Sequence, residues 1–373
     1  MSTARAPGRV NLIGEHTDYN EGFALPFAIA HGCTAVARHA GALTRGTLTV
    51  RSAQRPEPVT VDELRPDASW ITGPSGWAAY AAGVIWALAA CGHVPEPVTG
   101  IAIDLDSDVP MGVGLSSSAA VTCAVTQAVS GLLDLGLSGR DIAAVATRSE
   151  TEFVGAPTGG MDQLASAQGE PGHALFCDMR SLRTEAVAFD PAAEGLAVLV
   201  ADTRAEHRLV DGGYRERRQS CAVAAAELGV PALRDITLDD LDHALRRLSS
   251  DRLRRRVRHV VTENARVLEA VRVLRSGSVR ELGPLLVASQ RSMADDFEIT
   301  VPEVDTAARA LMDAGALGAR LTGGGFGGCV IALVDQARAE PSARAVEVAF
   351  AARGFTPPAC FTVTPGRGAH RTD

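Results

Sequence analysis

No lysine occurs in the 373 residues; all 36 basic side chains of the Lys and Arg class are arginine. That excludes a P-loop lysine, the strand lysine of protein kinases and any Schiff-base lysine. If this chain moves phosphate, it does so without a P-loop. Aromatic residues make up only 4%, so the core must rest on Ala, Val, Leu and Ile. The seven cysteines stand singly at positions 33, 91, 123, 177, 221, 329 and 360, with no Cys-x-x-Cys pair. An odd, scattered set argues against a disulfide framework and against structural zinc, and predicts reduced, mostly buried thiols. Long hydrophobic runs are also missing. The longest, Trp77 to Cys91, is followed by Gly92 and His93. It is too short for a typical membrane span and reads as an Ala-rich core helix. The segment from Met1 to Pro7 has no apolar stretch of signal-peptide type. A soluble, cytoplasmic protein without membrane contact is expected.

What is present suits an ordinary globular chain. Hydrophobic residues make up 46%, and the length allows roughly two domains. The formal charge of −8 disfavours a nucleic-acid partner. One basic cluster, Arg252, Arg254, Arg255, Arg256 and Arg258, lacks interleaved aromatics and lies near Asp251 and Glu263. It reads as a solvated helix face. Strands are predicted at 48–50, 98–105, 196–201 and 330–334. Helices are predicted at 77–90, 117–133, 140–153 and 302–314, with long helical patterns from Tyr214 to about Leu286. Ser138 and Asp141 have the spacing of a capping box, and Pro302 fits a first helical turn. The composition shifts near 190–194, which divides the chain into domains 1–190 and 191–373.

Four segments carry candidate chemistry. The first is Gly8-Arg9-Val10-Asn11-Leu12-Ile13-Gly14-Glu15-His16-Thr17-Asp18-Tyr19-Asn20. Arg9 and Asn11 alternate with Val10 and Leu12, the period of a half-buried strand, and Gly14 can break it into a loop bearing Glu15, His16 and Asp18. A strand ending in clustered donors and acceptors suits a polyhydroxylated ligand, since each sugar hydroxyl both donates and accepts.

The second segment, Met111-Gly112-Val113-Gly114-Leu115-Ser116-Ser117-Ser118-Ala119-Ala120, is a glycine turn feeding a helix N-terminus. Free N–H groups and the dipole there favour phosphate, and serine hydroxyls can take phosphate oxygens or Mg²⁺. An ordinary Ser-capped helix is the plainer alternative. A dinucleotide fingerprint fits poorly, because the third glycine is absent and Pro110 precedes the turn. The third segment runs from Glu150 through Gly155, Pro157, Thr158, Gly159 and Gly160 to Asp162. Gly155 and Pro157 stop a helix, and the paired glycines allow close backbone approach to a ligand. Asp162 on its own could simply cap the next helix. The fourth, residues 323–328, holds five glycines in six positions between a helix and a strand, which core packing does not explain.

The first segment closely resembles the sugar-recognition signature of galactokinases, within the GHMP family of small-molecule kinases. The second is similar to that family's nucleotide motif, Pro-x-x-x-Gly-Leu-Ser-Ser-Ser-Ala, with Val113 where a smaller residue is usual. The third resembles the segment bearing the family's catalytic aspartate, with Thr158 in place of a common cysteine. The fourth is similar to a loop facing the phosphates. Lesser likenesses are Trp77-Ala78-Ala79-Tyr80, Tyr214 with its following arginines, and Asp295-Asp296-Phe297-Glu298.

The resemblance implies a two-domain α+β architecture, with a ribosomal-S5-like N-terminal domain, a ferredoxin-like C-terminal domain and an active site in the cleft between them. It implies transfer of the γ-phosphoryl of ATP to the anomeric hydroxyl of galactose, with Mg²⁺, by a monomer or weak homo-oligomer. Asp162 and Arg9 would be catalytic, Asp162 serving as base or as orienting group. Glu15, His16, Asp18, Gly159 and Tyr214 would bind the sugar. Trp77, Gly112, Gly114, Ser116, Ser117 and Ser118 would bind the nucleotide, and Ser118 and Glu150 the metal. The alternatives are a kinase of the same family acting on N-acetylgalactosamine, arabinose or mevalonate, a non-catalytic sugar and ATP sensor, or a nucleotide-dependent oxidoreductase.

Overall fold

The computed structural model describes residues 1–40, 47–61, 64, 76–156, 158–205 and 210–373. Its first part is a six-stranded sheet made of β1 (Ser2–Asn11), β3 (Pro26–His39), β4 (Leu48–Ser52), β5 (Arg55–Val61) and β6 (Ile101–Ser107), joined by β13 (His370–Arg371). The order is β13-β1-β3-β6-β4-β5, antiparallel except where β4 meets β6. β2 (Phe23–Ala24), β7 (His173–Asp178) and β8 (Arg183–Ala188) make a small antiparallel sheet. Among the described residues, four α-helices accompany this part: α1 (Ala79–Ala90), α2 (Ser117–Leu132), α3 (Gly139–Arg148) and α4 (Met161–Gln168).

The scarcity of aromatics shapes the packing. α2 lies across β1 and β3 with Ala119, Ala120, Cys123, Ala124, Val125, Ala128 and Val129 all buried. Small side chains on most of its circumference let it sit inside the domain rather than on its surface.

The later part contains β9 (Leu196–Asp202), β10 (Gly318–Thr322), β11 (Cys329–Asp335) and β12 (Ala359–Val363), in the antiparallel order β10-β11-β9-β12. Its helices are α5 (Val210–Leu228), α6 (Leu241–Arg247), α7 (Asp251–Arg275), α8 (Gly283–Ser292), α9 (Pro302–Asp313) and α10 (Ala339–Ala351). β8 and β9, on either side of position 190, belong to different sheets, and β13 returns to pair with β1. No helix among the described residues is long and apolar enough to cross a membrane.

The expected helix at 140–153 is two structures: α3 begins at the Ser138–Asp141 capping box, then Ser149–Val154 widens into a π-helical turn carrying Glu150. Single π turns of this kind occur often at functional sites. Pro157, read as part of the helix stop, lies outside the described residues. All seven cysteines are free, five of them buried.

The solvated-face reading of the arginine cluster is corrected. Arg256 is 2% exposed and donates to the Asp296 carbonyl and the Glu298 carboxylate. Arg255 pairs with Glu298 and Arg258 with Asp296, while Arg254 donates to the Leu245 and Leu248 carbonyls. Arg255, Arg256 and Arg258 pin the 295–298 turn to α7, and only Arg252 of the five stands mainly in solvent. Periodicity marked the helix but not its partner, which lies some forty residues downstream.

Candidate active site

β1 ends at Asn11, and the chain swings into the loop that carries Glu15, His16 and Asp18. Gly14 makes that turn at φ 107°, with its Cα so close to Ala24 and the Phe23 carbonyl that a Cβ would overlap them. Opposite, the glycine turn at 112–114 leads into α2, and Gly160 leads into α4, whose first turn bears Asp162. α4 packs against β1, which brings two residues 153 positions apart into contact.

Arg9 grips Asp162 with a two-pronged fork: Nε donates to Oδ1 and Nη2 to Oδ2, both at 2.9 Å. Such planar matching is a capacity of arginine that lysine lacks. Arg9 Nη1 also donates to the Gly114 carbonyl at 2.6 Å, tying the pair to the glycine turn. The side chain of Arg9 is 5% exposed and that of Asp162 is 25% exposed, so the carboxylate faces open space.

That space is a cavity of about 680 Å³. Arg9, Asp162, Glu15, His16, Asp18, Tyr214, Gly112, Gly114, Ser116, Ser117, Ser118 and Glu150 border it, together with the loop of residues 323–328. Gly159 supports the cavity from behind: a side chain there would overlap the Asp18 carboxylate. Trp77 lies elsewhere, in an adjoining cavity of about 180 Å³ that it lines with Leu105, Met111 and Val121. Tyr80, Ser117 and Ser118 border both spaces, so the two adjoin at the start of α2.

The glycine-rich loop owes its composition to backbone contact. Gly323 (φ +95°) lies so close to the other glycine turn that a Cβ would stand 2.9 Å from the Gly114 carbonyl oxygen. At Gly328 the same atom would meet the Val113 carbonyl at 3.0 Å. A Cβ on Gly325 would strike Ile299, and one on Gly213 would strike the ring of Phe326.

Charges in the site are set by burial and by neighbours. Burial, and then the charge of Asp162, push the Asp18 carboxyl up to about 6. Burial raises Glu150 to about 7 against the opposing bonds from Gln163, Ser118 and Thr122. Its Oε1 accepts from Gln163 Nε2 at 2.8 Å and Thr122 Oγ1 at 3.1 Å. Burial, and then the charge of His259, lower His16 to about 3 and keep it neutral. The rings of Tyr214 and Phe297 pack against it at 5.2 and 4.8 Å.

Glu15 and His16 are engaged within the protein. Glu15 accepts from the Gly323 N–H at 2.7 Å and from Asn11 Nδ2, with Arg320 at 3.5 Å. His16 bonds Tyr19 Oη at 2.8 Å and the Gly324 carbonyl at 3.1 Å. Both therefore stitch the first loop to the glycine-rich loop.

The sequence reading missed the supports behind them. Arg320, fully buried on β10, donates to the Asn11 and Leu12 carbonyls. The Thr322 hydroxyl donates to the Asn11 carbonyl at 3.0 Å and lies 3.1 Å from the Asn11 N–H. Glu263 on α7 accepts from the Gly14 N–H at 3.0 Å and from Ser289, and Asn264 accepts from the Phe23 N–H. Spacing held a signal: His259 and Glu263 stand four apart, on one helix face.

A sugar-type loop, a serine-bearing helix start and an Arg–Asp pair around one cavity define a small-molecule kinase. Models of the GHMP kinases match twice, the N-terminal domain over residues 79–170 and the C-terminal domain over 267–352. The galactokinase galactose-binding signature matches residues 2–39. A galactokinase of Streptomyces coelicolor is 47% identical over 98% of this chain and 93% of its own. One from Mycobacterium bovis is 45% identical over 98% and 97%. The crystal structure of Lactococcus lactis galactokinase complexed with galactose aligns with a TM-score of 0.90 at 29% identity, over 99% of this chain and 94% of that one. The chain belongs to the galactokinase family of GHMP kinases.

Proposed function

We propose that this enzyme transfers the γ-phosphoryl group of ATP to the anomeric hydroxyl of galactose, giving galactose 1-phosphate and ADP. The observation that carries the reading is the Arg9–Asp162 fork, set in one cavity between the sugar-type loop and the serine-bearing start of α2. Family membership over nearly the whole chain supports the same substrate pair.

Phosphoryl transfer needs alignment and charge balance more than covalent help. Asp18, Tyr214, Glu15 and His16 hold the sugar, with Gly159 leaving room for the Asp18 carboxylate. Asp162 orients the C1 hydroxyl and accepts its proton as that oxygen bonds the γ-phosphorus. The bond from the γ-phosphorus to the bridging oxygen breaks, and its electron pair leaves with ADP. Arg9 stabilises charge on the transferring group. Gly112, Gly114, Ser116, Ser117 and Ser118 offer main-chain N–H groups and hydroxyls to the phosphates. Trp77 and Tyr80 flank the smaller cavity, where an adenine ring fits.

Mg²⁺ fits the donors present. Ser118 and Glu150 offer hard oxygens at the cavity edge, and a side-chain hydrogen bond between them keeps the two side by side. A Mg²⁺ ion there would be held by these one or two protein groups, phosphate oxygens and water. The ion supplies charge neutralisation on the phosphates, a need made greater by the absence of lysine.

An assay of ADP release across a panel of galactose, N-acetylgalactosamine, arabinose and mevalonate, with ATP and Mg²⁺, tests the reading. Galactose is expected to give the highest kcat/KM. A clear preference for another acceptor removes the substrate assignment, and galactose binding without ADP formation removes the enzyme assignment.

A further inference from the structure

Ser116 occupies the position where a serine normally caps a helix, yet its side chain makes no capping bond to α2. Its backbone is left-handed, at φ 58° and ψ 51°. Non-glycine residues seldom adopt that region, and a capping serine is ordinarily extended. The consequence of the unusual backbone is visible across the cavity, where the Ser116 hydroxyl donates to Asp162 Oδ2. The same oxygen accepts from Arg9 Nη2 at 2.9 Å. A carboxylate oxygen offers about two acceptor sites, so both sites of Oδ2 are filled.

A serine hydroxyl has one proton to donate and rotates freely to suit its neighbours. Ser116 also borders the cavity beside Ser117 and Ser118, at the end of α2 whose first N–H groups lack intrahelical partners. A triphosphate drawn there brings oxygens that compete for that one proton. If the hydroxyl turns to a phosphate oxygen, Asp162 Oδ2 regains an acceptor site.

We propose that Ser116 is a positioning residue that occupies Asp162 until nucleotide arrives: its hydroxyl bonds Asp162 in the free enzyme and turns to a phosphate oxygen in the nucleotide complex, opening Asp162 to the sugar hydroxyl. The proposal rests on the kinase reading above. Ser116 keeps its proton throughout, and only the acceptor changes. Nucleotide and sugar therefore bind cooperatively through one hydroxyl, without a movement of domains.

Calorimetric titration of galactose, with and without a non-hydrolysable ATP analogue and Mg²⁺, tests this on the full-length wild type and on Ser116→Ala and Ser116→Gly. In the wild type the analogue is expected to tighten galactose binding by roughly tenfold, the scale of one hydrogen bond. Both variants are expected to bind galactose more tightly than wild type in the absence of nucleotide, with the analogue adding less than about twofold. Glycine relieves the left-handed strain that alanine retains. Agreement between the variants thus assigns the effect to the hydroxyl, and an effect in alanine alone assigns it to the backbone and overturns the proposal. Wild-type synergy surviving in both variants overturns it too, as does a wild type that binds galactose without any response to the analogue. A wild type that binds no galactose at all overturns the functional reading itself, and this proposal with it.

Discussion

The imidazole Nε2 of His259 lies 3.1 Å from the main-chain carbonyl of Glu15, and its Nδ1 lies 2.9 Å from Ser292 Oγ. A helix from the later half of the chain thus holds the loop that faces the sugar. The ring of Phe297 packs between the two histidines, 4.3 Å from His259 and 4.8 Å from His16. One helical turn on, Glu263 grips the same loop at Gly14. The arginine cluster of α7 then fixes the 295–298 turn that supplies Phe297.

Glu263→Gln tests this support. Burial opposes its charge, but Arg266, Arg320 and His259 outweigh burial and hold it at about 2 instead of 4.5. A depressed carboxyl stabilises the fold above its unfolded value and loses that contribution as pH falls through the folded one. The variant leaves Arg320 buried with a weakened partner, so a loss of about 3 kcal/mol is expected at pH 7. Urea unfolding at pH 7 and pH 3 measures it, and the difference from wild type should shrink at the lower pH.

Asp162→Asn retains the shape but not the charge of the group gripped by Arg9. Turnover is expected to fall by roughly a hundredfold or more, the usual scale for a removed acid–base group. Galactose affinity should stay within a few-fold of wild type. Steady-state kinetics with calorimetric binding separates the two, and near-normal turnover would remove Asp162 from the chemistry.

Gly323→Ala places a methyl group 2.9 Å from the Gly114 carbonyl oxygen on a backbone with φ +95°. The two glycine loops must then separate. The KM for ATP is expected to rise by about tenfold or more, with a stability loss on the order of 1–3 kcal/mol. Kinetics and thermal melting report both effects, and an unchanged KM would show that the stacked loops do not shape the nucleotide site.

Asp18→Asn probes a group that the fold holds charged at a cost. Its folded value of about 6 exceeds the ordinary 3.8. Protonation is therefore easier in the folded chain, and the sugar-free protein loses stability as pH rises between those values. At pH 7 the variant is expected to melt a degree or two or so above wild type, on the order of 1 kcal/mol or less. The gain should vanish near pH 4, and galactose binding should be lost at every pH. A variant no more stable than wild type at pH 7 would contradict this account.

The elements that sequence revealed best have strong local signals. Ser138 and Asp141 form the capping box, and Pro302 opens α9 in its first turn. β11 spans Cys329–Asp335 around the expected apolar run. The long strand β3 escaped notice because Pro26, Gly32 and its alanines weaken the β signal, and its partners lie far off in the chain. The cavity-lining residues were legible because loops display their chemistry openly. Arg320, His259 and Glu263 were not, since a buried ion group looks in sequence like a surface one. Only the tertiary contacts that satisfy its hydrogen bonds distinguish it. The arginines of α7 were misread for the same reason.

β13 has a consequence for how the enzyme is made. Ala4 and Arg5, on the strand that carries Arg9, pair with Arg371 and His370. β1 leaves the ribosome well before this outer neighbour, and the other two sheets are synthesised in between. The strand that delivers the arginine thus keeps an open outer edge through the synthesis of two further sheets, and the pairing that closes that edge comes from the far side of the second domain's sequence.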